Sequence, residues 1–127
     1  MLNGVGTTGT SGYVVKLGTS GGIVTTGYLS GSAYVGASQG SGNSTTQFLL
    51  NGGTSKGAGD IINGNVIITN LSGNIWAESH FIGQSNNAYA LIGGGSINLG
   101  ATLTQLQITT SGGTDTFNAG SINILYE

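Results

Sequence analysis

Turn-forming residues cut this chain into runs too short for helices. Clusters of Gly, Asn, Ser and Asp recur roughly every 8–12 residues, and no window carries apolar residues at i, i+3, i+4 and i+7 through three turns. Between the clusters, apolar and polar residues alternate, as in residues 13–17 (YVVKL) and 74–83 (NIWAESHFIG). Alternation of period 2 bounded by turns marks strands with two distinct faces. The chain holds 26 glycines and no proline. Its turns therefore rest on residues that tolerate positive φ and on side-chain turns.

These signals predict an all-β chain of about eight or nine short strands. The strongest is residues 64–71 (GNVIITNL), a β-branched run between Asn and Gly. Gly93-Gly94-Gly95 reads as a break between strands at 88–92 and 96–99, and residues 39–45 and 51–60 read as loops. In 104–127, two alternating runs flank a Gly, Ser, Thr and Asp turn, the pattern of an antiparallel ribbon. That pairing would point Ile122, Ile124 and Tyr126 into the core, and deleting the last six residues would unfold the domain. A single sheet hides only one face, so two packed antiparallel sheets are expected. The jelly-roll type is favoured over an immunoglobulin-like sandwich, whose buried Trp between paired cysteines has no counterpart here. Residues 1–12, Gly- and Thr-rich and without periodicity, read as a flexible N-terminal arm or linker, and 13–127 as one β-sandwich domain.

Charge is scarce. Two basic and four acidic residues stand where an ordinary domain would be about a quarter charged. A surface so close to neutral repels copies of itself weakly and favours association. With Lys16 and Lys56 as the only cations, the chain lacks the basic footprint of nucleic-acid binding and of electrostatic membrane binding. There is no cysteine, hence no disulfide framework and no thiolate chemistry. No apolar run approaches the ~20 residues of a membrane helix. The first twelve residues lack the basic region and apolar core of a secretion signal.

His80 is the single histidine, and Glu78 lies two residues before it on the same strand face. A carboxylate beside an imidazole is the start of a general-base arrangement. Without a cysteine or a nucleophile-elbow serine, the pair reads instead as a surface or interface pair, and no enzyme is expected. On that reading His80→Ala leaves folding near normal. Asp60, Asn63 and Asn65 offer oxygen ligands around a glycine but lack the spacing of a calcium loop, so neither metal nor cofactor is expected. Trp76, His80, Tyr28 and Tyr89 are the candidate glycan or interface contacts. Aromatics beside amides stack on sugar rings, although the same residues also fill β-sandwich cores.

Three segments, VVKLGTSGGIVTTGYLSGSAYV, DIINGNVIITNLSGNIW and ITTSGGTDTFNAGSINILYE, resemble a module of tailed-bacteriophage virion proteins. The matching marks are an aliphatic strand ending at Asn70-Leu71, Trp76 soon after, and a Gly-rich turn leading through Phe117, Ala119-Gly120 and Ile122 to Tyr126. Glu127 stands where a glycine often follows the tyrosine. The resemblance implies a C-terminal jelly-roll domain of a tail fibre, tail or capsid decoration protein on the virion exterior. It also implies a homotrimer that contacts other virion proteins and, at the host surface, a glycan. The alternative is a lectin-like carbohydrate-binding module or adhesin without a virion role. No catalytic or binding residue carries over, because such modules bind through variable loops.

Overall fold

The computed structural model describes residues 1–53 and 56–126. Thr54 and Ser55, inside the expected 51–60 loop, and Glu127 lie outside that set. The described residues form eleven strands and no helix. They are β1 (Leu2–Thr7), β2 (Tyr13–Thr19), β3 (Gly22–Ile23), β4 (Leu29–Val35), β5 (Gln39–Ser44) and β6 (Phe48–Leu49). There follow β7 (Ile61–Ser72), β8 (Ile75–Gln84), β9 (Tyr89–Asn98), β10 (Gln105–Thr110) and β11 (Phe117–Ile122). A seven-stranded sheet runs in the order β11-β1-β7-β8-β9-β4-β5, and the second sheet is β10-β2-β3 with β6 also on β2. Every pairing is antiparallel.

The core lies where the two sheets meet, as in a β-sandwich. The larger sheet contributes Leu2, Val5, Ile62, Ile82, Leu91 and Ile97, and the smaller brings Tyr13, Val15, Leu17 and Phe48. Burying each such side chain contributes about 1.5–3 kcal/mol, so the sheets hold together by their apolar inner faces. Tyr28 closes one side of this core, edge-on to Phe48 at 4.9 Å.

Several expectations are corrected. Residues 1–12 are no free arm, because β1 sits between β7 and β11 with Leu2 and Val5 in the core. A register shift between Leu2 and Val5 puts these two on one face at a spacing of three, which erases the period-2 signal. The 104–127 ribbon does not form: β10 pairs with β2 in the smaller sheet, while β11 pairs with β1 in the larger. All six residues of β11 are exposed, and Ile122, Ile124 and Tyr126 do not enter the core. Gly93-Gly94-Gly95 does not break the chain, since β9 runs straight through it between β8 and β4. Residues 39–44, which carry no apolar residue, form β5 through backbone pairing with β4.

Candidate functional site

The longest strands position the chemistry. One row on the inner face of the larger sheet runs across five strands: Val66, His80, Gly93, Ser32 and Gly42. His80 on β8 and Ser32 on β4 are two strand spacings apart, about 10 Å. The imidazole crosses that gap over Gly93, where a Cβ would stand 2.5 Å from His80 Cε1. His80 Nε2 lies 3.1 Å from Ser32 Oγ, and Nδ1 lies 2.8 Å from Glu78 Oε1. Carboxylate, imidazole and hydroxyl thus stand in the order of a nucleophile-activating relay. The alternation of β8 reveals the Glu78–His80 half of it. The Ser32 half requires knowing that β9 separates β4 from β8.

Access decides what this array can do. The Glu78 and His80 side chains are 0% exposed. Ser32 Oγ already accepts the Gly52 amide at 3.0 Å and lies 3.3 Å from the Ile92 carbonyl. Gly52 and Gly53 lie against Gly42 so closely that a side chain on Gly42 would strike their backbone. The relay is sealed between strand and loop. The expected surface pair at Glu78 and His80 is therefore corrected to a buried network. With two side-chain partners lost, His80→Ala is not expected to leave folding near normal.

A second polar cluster gathers three of the chain's six charges. Asp60 accepts from the Gly57 amide, Gln84 Nε2 and Asn86 Nδ2 at 2.8, 2.8 and 2.6 Å. Asn63 Oδ1 accepts the Gly4 amide at 2.7 Å, so the oxygens that faintly resemble a calcium loop serve the fold. Lys56 Nζ donates to the Gly9 carbonyl at 2.6 Å and sits 5.2 Å above the centre of the Tyr13 ring. Burial lowers the Lys56 pKa, opposed by the charges of Asp115 and Asp60. Asp115 Oδ2 accepts the Ser11 amide at 2.9 Å. Among the described residues, no group of three or more His, Cys, Asp or Glu could hold a metal.

The four aromatic and imidazole candidates do not converge. Tyr28 is buried, its hydroxyl accepting the Leu17 amide at 2.8 Å and lying 3.1 Å from the Val24 carbonyl. It is core, which corrects its place among the surface candidates. Trp76 is half-buried against the core. Tyr89 is half-buried, tilted on Tyr34 at 4.9 Å, with its hydroxyl 2.7 Å from Ser38 Oγ.

The surface that remains open is the outer face of the larger sheet. Phe81 on β8, 67% exposed, stands directly opposite Ile92 on β9, and Ile67 and Val35 are exposed on flanking strands. Among the described residues no charged side chain lies on this face, since Glu78 points inward and Lys56 and Asp60 are buried. Two shallow depressions lie on the sheet here, one bordered by Gly31, Ala33 and Ile92, the other by Ile67 and Phe81. Comparison of the chain with family models, curated proteins and solved structures finds no match.

Proposed function

We propose that this chain is a structural module of a tailed-phage virion, of jelly-roll type, that works by assembling with copies of itself and other virion proteins rather than by catalysis. The observation that carries the reading is the outer face of the seven-stranded sheet, apolar at Phe81, Ile92, Ile67 and Val35 and without charge among the described residues. Contiguous exposed apolar surface is the mark of an interaction site, and a neutral rim offers no counter-charge to an acidic or basic partner. The segment resemblance supplies the virion setting, the exterior location and the threefold association. Mass spectrometry of purified particles and imaging of labelled ones test it: the chain is expected at many copies per particle, and its absence overturns the virion role.

A second reading, glycan attachment, is favoured by the Tyr34–Tyr89 pair, half-buried side by side near Ser38. Aromatic faces beside hydroxyls and amides suit sugar rings. Binding on a bacterial-glycan array that is lost with Tyr89→Ala supports it, and silence across the array removes it.

A further inference from the structure

The two edges of the seven-stranded sheet are unequally protected. At one edge, β5 is backed by the Gly52–Gly53 turn, which lies against Gly42. At the other, β11 has one hydrogen-bonded neighbour among the described residues, β1, and every one of its residues is exposed. The smaller sheet's cover stops at β1, whose Leu2 and Val5 are the last core residues on this side. Edge strands are normally guarded by Lys, Pro or inward charge. Residues 117–126 (FNAGSINILY) contain none of these. The register shifts between β1 and β11 lie beyond Asn3, so the pairing of Leu2 with Ile122 and of Asn3 with Ser121 is regular.

The direction of the open backbone groups follows from one residue pair. Met1 and Asn123 exchange both bonds, Met1 N to the Asn123 carbonyl at 2.8 Å and Asn123 N to the Met1 carbonyl at 2.9 Å. In an antiparallel ladder the next residues on either side point the opposite way. The amide and carbonyl of Ile122 and of Ile124 therefore face away from β1, toward the open edge. The side chains beside them are apolar and exposed, Leu125 at 77% and Tyr126 at 93%.

From this we infer that the β11 edge, through the outward backbone of Ile122 and Ile124, pairs antiparallel with the same edge of a second copy of this chain. A second copy fits the chemistry. An open strand edge takes another strand, and a twofold axis turns each outward amide toward an outward carbonyl. Residues 117–126 carry no charged side chain, and the Met1 ammonium is turned onto the Asn123 carbonyl of its own chain. Two copies therefore meet with little repulsion, whereas an acidic or basic partner finds no charged side chain along this stretch to pair with. Apolar residues from both copies, Ile124 and Tyr126 on one face and Leu125 on the other, then cover one another. The pairing rests on the self-assembly reading but is a separate contact from any threefold association through the sheet's outer face.

Light scattering across a dilution series of the full chain, its Ile124→Pro, Ile124→Ala and Phe81→Lys variants, tests the inference, with amide hydrogen exchange on the assembled protein. Ile124 lies beyond β11 and its amide points outward, so proline removes an edge donor without touching the β1 ladder. Ile124→Pro is expected to weaken association at least about ten-fold with an unchanged melting curve. Ile124→Ala, which keeps the amide, is expected to weaken it less, and the Ile122 and Ile124 amides to exchange slowly only in the assembly. Association that survives Ile124→Pro, falls equally with Ile124→Ala, or leaves those amides exchanging freely overturns edge pairing. If Phe81→Lys alone dissolves the assembly, the contact lies on the sheet face and self-assembly stands without this edge. A wild-type chain that stays monomeric at every concentration overturns both.

Discussion

The two faces of β8 invert the usual division of a half-buried strand. Inward it turns Glu78, His80 and Gln84 among Trp76 and Ile82; outward it turns Ile75 and Phe81. The inward polar groups have partners, Glu78 with His80, His80 with Ser32, and Gln84 with Asp60. The outward apolar groups have neighbours along the sheet, Phe81 beside Ile92, but no covering layer among the described residues, and they stay exposed. Buried polar groups are tolerable where hydrogen bonds replace water. On this face of β8 only Glu78 Oε2 and Trp76 Nε1 find no partner among the described residues, so most of the inner face is satisfied within the chain. An exposed phenylalanine opposite an isoleucine gains nothing from water, so the outer face is the incomplete one. The difference locates stability inside the sandwich and leaves the outer face for the proposed interaction.

Removing one partner of the inner network should produce the largest effect. Glu78→Ala leaves the buried His80 ring without its carboxylate partner and is expected to cost about 1.5–3 kcal/mol in denaturant unfolding; a loss under about 1 kcal/mol would show that the two faces do not differ as argued. Next comes Gly93→Ala, whose methyl would stand 2.5 Å from both His80 Cε1 and the Gly31 carbonyl. Shifting the imidazole ring and the Gly31 backbone aside should cost about 1–3 kcal/mol, and a melting temperature equal to wild type would mean that the relay is loose.

Alkaline pH tests the core from another side. Burial raises the Tyr28 pKa against the hydrogen bond from Leu17, and burial, with smaller pushes from Asp60 and Asp115, raises that of Tyr13 despite Thr7. A raised folded pKa gives stability that is fully present below the unfolded value of 10.0 and lost as pH climbs through the folded value. Lys56 runs the other way: its folded form sheds the proton first, so its penalty eases as pH rises toward 10.5. Denaturant midpoints measured on either side of pH 10 should therefore fall, and fall more steeply in Lys56→Met. The smallest effects belong to the outer surface. Phe81→Ser, and truncation after Asn123, should each shift monomer unfolding by no more than about 0.5 kcal/mol. A truncated chain that fails to fold would restore a core role for the closing residues.

Much of the fold was legible in particular runs. The alternation of β8 separates Trp76, Glu78, His80 and Ile82 from Ile75, Ala77, Ser79 and Phe81, and the structure keeps that division. Which set faces inward was not legible, because both carry apolar residues and period 2 has no sign. β1 was hidden by its bulge, and β5 by having no apolar residue for a pattern to show. The triple glycine read as a break because glycine weakens an isolated strand; here β8 and β4 hold it from both sides, and His80 occupies the space that a side chain on Gly93 would need.

By itself the sequence determined an all-β chain, its turns and its lack of charge, because these depend on local conformational preference and composition. Only the tertiary structure decided which strands pair. A turn signal records that the chain reverses, not which sheet receives it, so β10 and β11 part company after their turn. That long-range choice leaves residues 117–126 on an open edge instead of in the core, and it brings Ser32 to His80 across 48 positions of sequence. Both outcomes rest on contacts between distant segments, whose free energy no local run of residues contains.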